Sequence, residues 1–134
     1  MKLFLDANIL FTAARTPSGK AALVIDCAGE GCWQIISSAY AVEEARRNLE
    51  LKAPAALHRL KELLRFIEIV MPFPSTPCPA SLPFKDRPIF QAAHAGGASH
   101  LSTGDLKDFG PLMNRPDLTS GIIIQTVADF LAAI

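Results

Sequence analysis

The chain reads as an α/β protein, a central parallel sheet of about five strands with helices on both faces. Three observations predict this. Short apolar, β-branched runs alternate with amphipathic helical segments along all 134 residues, an order that implies right-handed crossovers and a parallel sheet. The first run, Leu3-Phe4-Leu5, is apolar on consecutive positions, as suits a strand covered on both faces. It stops on Asp6, and open α/β sheets bind their ligands beyond the carboxyl ends of their strands.

The elements follow in order. After the first strand a short helix is expected from Ile9 to Ala14, with Asn8 favoured as its cap and Asp6 balanced between cap and site. Thr16-Pro17-Ser18-Gly19 breaks it before a second helix from Lys20 to about Ala28, which Gly29 and Gly31 end. Cys32 to Ile36 is aromatic and β-branched, hence a second strand. Ser37 and Ser38 offer caps for a helix from Ala39 to about Leu51. On it Tyr40, Glu44 and Arg47 share one face, and Val42, Ala45 and Leu49 another. Pro54 opens an amphipathic helix with Leu57, Leu60, Leu63 and Leu64 on its apolar side, and Phe66 to Val70 is a third strand.

Prolines at 72, 74, 77, 79 and 83 make the next segment an extended loop. Lys85-Asp86-Arg87-Pro88 begins a helix that Gly96-Gly97 ends, with Asp86 placed as its cap. His100 to Thr103 is a short strand, Gly104 to Phe109 turns back at its end, Gly121 to Ile124 is the last strand and Val127 to Ala133 the last helix.

The bulk numbers narrow the function. A length of 134 residues fits one domain, 1–134, able to bury a core without staples. Thirteen basic and thirteen acidic side chains cancel, which excludes a global basic field of the kind nucleic-acid binders carry, so such binding must be local or metal-assisted. An apolar fraction of 50% and a mean hydropathy of +0.27 imply apolar surface covered by another chain, a second copy or a protein partner. Cys27, Cys32 and Cys78 are odd in number and lack metal-ligand spacing, so neither a disulfide framework nor a zinc site is indicated. With no apolar stretch long enough for a signal or a membrane span, a cytoplasmic protein is expected.

The carboxylates carry the chemistry. Asp6, Asp105 and Asp108 follow strands, while Glu44 and Asp86 lie on or at the start of helices, so all can converge on one rim of the sheet. Gathered there they would repel one another unless a divalent cation neutralised them, and an all-oxygen set without His or Cys suits Mg²⁺ or Mn²⁺. Taken alone, Glu43 and Glu44 also read as solvated partners of Arg46 and Arg47. His58, His94 and His100 have no patterned carboxylate or serine beside them.

Four stretches in this order resemble the PIN-domain nucleases, whose toxin members are the VapC-like ribonucleases of toxin–antitoxin pairs. They are Leu5-Asp6-Ala7-Asn8, Ser38 to Glu44, Lys85-Asp86, and Thr103 to Phe109. The resemblance implies a PIN-like fold and a metal-dependent endoribonuclease whose Mg²⁺ or Mn²⁺ site is formed by Asp6, Glu44, Asp86 and Asp105, with Asn8 and Thr103 as supporting polar groups. Glu43 competes with Glu44 for the helical position. Asp108 competes with Asp105 for the fourth, or adds a further carboxylate. Substrate RNA would be gripped by local cations, with Arg46, Arg47, Lys85, Arg87 and Lys107 as candidates. The implied partners are RNA, an antitoxin protein and a second copy in a homodimer. Alternatives are a non-catalytic RNA-binding or scaffold module, and a stand-alone RNA-processing nuclease. A phosphatase with an aspartyl nucleophile would want a second Asp two residues after the first, where this chain has Asn8.

Overall fold

Five strands and six α-helices form over residues 1–134 in a computed structural model. The strands are β1 (Lys2–Leu5), β2 (Gln34–Ser38), β3 (Glu68–Val70), β4 (His100–Ser102) and β5 (Ile123–Gln125). All pair in parallel, in the order β3-β2-β1-β4-β5. The fold class is the one the alternating pattern predicts. β1 is central because it has no wet face: Leu3, Phe4 and Leu5 are wholly buried, and Phe4 lies opposite Ile36 on one side and Leu101 on the other.

The helices are α1 (Ala7–Arg15), α2 (Lys20–Gly29), α3 (Ala39–Lys52), α4 (Leu57–Leu63), α5 (Arg87–Ala95) and α6 (Val127–Ala133). The crossovers from β1 to β2 and from β2 to β3 step one way along the sheet, and that from β3 to β4 steps back. Right-handed connections therefore place α1 to α4 on one face and α5 on the other, with α6 packed against α2. Helices α1 and α3 pack together, and most of their buried residues are small, Ala7, Ala13 and Ala14 on one and Ala41 and Ala45 on the other, which lets the two lie close. Their exposed flanks form the two walls of the groove described below.

Several boundaries differ from the sequence reading, each for a local reason. Helix α1 starts at Ala7 and not Ile9, and its cap is Asp6, whose carboxylate accepts the Ala7 N–H at 2.7 Å. Asn8, the favoured cap, is already inside the helix. Strand β2 begins at Gln34 because Cys32 belongs to the stop of α2. Gly31, at a φ of 88°, sets a turn in which the Cys32 N–H donates to the Cys27 carbonyl and the Gly31 N–H to that of Ala28. Ser37 and Ser38 complete the strand, and Ser38 also caps α3 by accepting the Ala41 N–H. Pro54 opens a 3₁₀ turn, Pro54–Ala56, before α4, and a second one, Leu64–Phe66, takes the first residue expected in β3. The last strand runs to Gln125, since Gly121 at a φ of 85° still belongs to the turn before it.

The glycine pair after α5 divides its labour. Gly97, at a φ of 72°, makes the left-handed stop, with the Ala98 N–H donating to Ala93 and that of Gly97 to His94. Gly96 has ordinary helical geometry but no room for a side chain, because a Cβ there would lie 2.6 Å from Ile36 Cδ1. The proline segment forms no regular element before the 3₁₀ turn Phe84–Asp86. All three cysteines are free thiols, and no helix is long and apolar enough to cross a membrane.

Candidate metal centre

The carboxyl ends of β1 and β4 lie side by side, and the chain leaving each carries a carboxylate toward the same cleft. Asp6 follows β1 directly and is 6% exposed. One of its oxygens caps α1, while the other accepts the Thr103 hydroxyl at 2.8 Å. Thr103 follows β4, and its oxygen in turn accepts the Asp105 N–H at 3.1 Å and the Asn8 side-chain amide at 3.4 Å. Asn8 closes the ring by accepting the Gly104 N–H at 2.8 Å. The two predicted supporting residues therefore fasten α1 to the loop after β4, which sets Asp6 and Asp105 in a common frame.

Asp86, Asp105 and Asp108 form the tightest acidic group, each offering an oxygen within 4.8 Å of the others. Asp105 accepts the Asp108 N–H at 3.0 Å, so the turn after β4 is folded around its own carboxylate. Asp108 is 11% exposed and pairs with Lys85 Nζ at 3.0 Å. Asp86 stands at the N-terminus of α5 without capping it: its backbone is helical and no helix N–H reaches its side chain. One carboxylate oxygen, Oδ2, is buried with no hydrogen-bond partner.

The electrostatics follow from this geometry. Burial, with the Asp108 carboxylate adding to it, pushes the Asp86 carboxyl up to about 7. Lys85 beside Asp108 holds that carboxyl below its ordinary value and is itself raised by it. Burial also raises Asp6, against the opposing hydrogen bonds from Thr103 and Ala7. A buried carboxylate oxygen without a donor, faced by two further carboxylates, is a site short of positive charge. An all-oxygen donor set of this kind fits a hard divalent cation.

The cleft above the group has a volume of about 230 Å³, and Asp6, Glu44, Asp86 and Asp105 all line it. Glu44 makes no ion pair and faces the cleft, whereas Glu43 is bound on the outer surface by Arg46 at 2.6 Å and by Arg47 at 3.8 Å. Of the five cations expected around the site, Lys85 alone lines the cleft. Arg46 is held between Glu43 and Glu50 on the outside of α3, and Arg47 is drawn to Glu43, because i,i+3 and i,i+4 acids lie within reach there. Arg87 lies 5.7 Å from the Phe84 ring, and Lys107 is exposed on the turn after β4.

Sequence reasoning missed Phe11, Asn48 and Lys52, which line the far end of the cleft, and a lining role for Tyr40. The signal was present in the four-residue stride Tyr40-Glu44-Asn48-Lys52, one face of α3 carried to its end. None of the three histidines lines the cleft: His58 pairs with Glu62 on the surface, and His100 packs on Phe130.

The sequence matches no family model and no curated protein. In fold the chain is similar to a solved structure, VapBC2 from Rickettsia felis bound to a DNA fragment from their promoter. The TM-score is 0.64 at 18% identity, over 94% of this chain and 98% of that one. The likeness is one of fold, and it agrees with the architecture that the sequence motifs led us to expect.

Proposed function

We propose that this chain is a metal-dependent endoribonuclease of the PIN type, acting as one domain and as the toxin of a toxin–antitoxin pair. The observation that carries the reading is Asp86 Oδ2, buried without a donor among the carboxylates of Asp105 and Asp108 in a cleft that Asp6 and Glu44 also line. Asp86 is half-buried and lies against the Asp108 carboxylate, yet its Oδ2 is shut off from solvent and meets no donor group, which is unusual for a purely structural acid. The ordered motifs and the fold likeness to VapBC2 support the same reading.

Asp86, Asp105 and Asp108 would hold the cation, Mg²⁺ or Mn²⁺, with Asp6 and Glu44 completing the acidic lining. When bound, such an ion supplies positive charge that lowers the pKa of a water and neutralises a phosphodiester. The protein's own groups do the positioning. Thr103 donates to Asp6 and receives the Asp105 N–H, so one hydroxyl orients the Asp6 carboxylate and fixes the backbone that carries Asp105. Lys85 keeps Asp108 ionised and leaves the cleft with one cation at its acidic end. No side chain is placed as a nucleophile, and the position where an aspartyl phosphatase would need its second acid is filled by Asn8, engaged in holding Gly104.

The test is cleavage of RNA and of a simple phosphate monoester, each with Mn²⁺ and with chelator. RNA is cut in Mn²⁺ only, and Asp86→Asn lowers the rate by about a hundredfold or more, since loss of a direct ligand costs at least what loss of an outer partner does. Cleavage that persists in chelator, or an Asp86→Asn protein as active as wild type, refutes the reading. Intact RNA bound with the same affinity in both conditions would favour the scaffold alternative.

A further inference from the structure

We infer that the groove between α1 and α3 is a phosphate track for single-stranded RNA, in which Arg15 and Lys52, pinned over the Phe11 ring, hold the backbone beyond the scissile bond. The inference deepens the nuclease reading and rests on it. The acidic group occupies only one end of the cleft. From there α3 presents Glu44, Asn48 and Lys52 at four-residue intervals, and α1 presents Asn8 and Phe11 along the facing wall, with Arg15 beside the Phe11 ring at the end of the helix. From Glu44 to Lys52 the helix rises about 12 Å, so the two ends are joined by one continuous groove.

Charge changes sign along it. The one cation that lines the acidic end, Lys85, is already engaged by Asp108; Arg46 and Arg47 are turned outward to Glu43, and Arg87 and Lys107 lie outside the cleft lining. Arg15 and Lys52 pair with no carboxylate. They lie instead 5.8 Å and 5.9 Å from the centroid of the Phe11 ring, which restrains both without neutralising them. Two uncompensated cations held on a half-buried ring are prepared for an anion that enters from the groove. A polyanion drawn to the carboxylates through a metal needs such a counterweight, because the carboxylates alone repel it. The cleft, about 230 Å³ between two helices in contact, is far too small to take in a duplex, so a strand lying along it is single.

The competing explanation is that Arg15 and Lys52, both in the last turns of their helices, only complement the helix dipoles. Cleavage kinetics in Mn²⁺ with a short fluorescein-labelled single-stranded RNA, over a series of salt concentrations, decide between them. For Lys52→Gln and for Arg15→Gln, KM rises by about tenfold with kcat unchanged. The slope of log KM against log salt falls by about 0.7 for each charge removed. Lys52→Arg restores KM, and Phe11→Leu, which frees both cations, raises it with no change of charge. Lower melting temperatures with KM unaltered mean that the residues serve the dipoles alone, and overturn the inference. If wild-type protein cuts no RNA, the nuclease reading fails on its own account, and fluorescence anisotropy of the same RNA in Ca²⁺ reads the track separately. Affinity lost in Lys52→Gln supports it, whereas equal affinity in the two proteins, or none in either, overturns it.

Discussion

Asp6 and Asp86 both looked like helix caps in the sequence, and they part company in the structure. Asp6 does cap its helix and also receives Thr103, so an Asn there must lose one of two hydrogen bonds, and Asp6→Asn tests fold and site together. Asp86 caps nothing, and its unpartnered oxygen makes Asp86→Asn the cleaner variant. Its raised pKa also has a thermodynamic sign. A carboxyl at about 7 in the folded chain and near 3.8 in the unfolded chain binds more protons when folded. Its contribution to stability is therefore complete below the unfolded value and is lost as pH rises through the folded one. Asp86, with Asp6 also raised, should make the metal-free protein melt at lower temperature from about pH 4 to about pH 7, while His100, lowered by burial, opposes them in the upper part of that range. Asp86→Asn should flatten that slope, and Mn²⁺ should reverse it by binding the ionised form. Calorimetry across that range, with and without metal, checks both. A metal-free melting temperature that climbs with pH would contradict the electrostatic account. At this scale the sequence was ambiguous wherever partners decide: only the ion pairs of Glu43 with Arg46 and Arg47 separate it from Glu44.

Between elements, the critical joint is the one that fastens α1 to the loop after β4. Thr103 is wholly buried and bonded to Asp6, Asn8 and Asp105 at once. Thr103→Val keeps the shape and leaves a buried carboxylate without its donor, which should cost about 1–3 kcal/mol of stability. Thr103→Ser should cost much less, and denaturant titration in chelator gives the comparison. Equal stability of the two variants would mean that water replaces the hydroxyl and that the joint is not what orients Asp6. Gly96 offers a second test. The sequence read it as part of a helix stop, and it is the C-cap of α5, with Gly97 making the left-handed turn after it; the structure adds a packing reason. Gly96→Ala drives a methyl into Ile36 and Val70 and should destabilise by about 1–3 kcal/mol, against the gain that alanine normally brings to a helix. The type of each element was legible because hydrophobic period and turn residues are local signals. Boundaries slipped where a residue served two elements, as Ser38 ends β2 and caps α3, or where a helix tightened into 3₁₀ geometry, as at Leu64–Phe66.

Over the whole molecule, strand content and alternation were enough to foresee a parallel sheet with β1 inside it, since burial on both faces leaves an unbroken apolar run such as Leu3-Phe4-Leu5. What could not be foreseen is which helix flanks meet. The groove that brings Lys52 to Phe11 depends on the close approach of α1 and α3, a tertiary event that leaves only the alanines as a trace. The same holds for the outer surface, where the apolar excess of the composition now has an address. β3 is an edge strand, and Phe66, Ile69, Met71 and Phe73 follow one another along and beyond it, each between 47% and 76% exposed. An open strand edge bearing large apolar side chains is a ready surface for a second copy, and within β3 Glu68 is the one charge on it, with Pro72 following beyond. The chain should therefore run as a homodimer in light scattering at micromolar concentration. Ile69→Lys, which adds the charge that monomeric edge strands carry, should shift it toward monomer. Because Ile69 contributes little to the core, the melting temperature extrapolated to high dilution should barely move. Wild-type protein that is monomeric at those concentrations would refute the edge as a self-association surface and leave its apolar residues to a different chain. A dimer indifferent to Ile69→Lys would move the interface to the apolar groove of Val42, Leu57, Leu60 and Leu64 between α3 and α4.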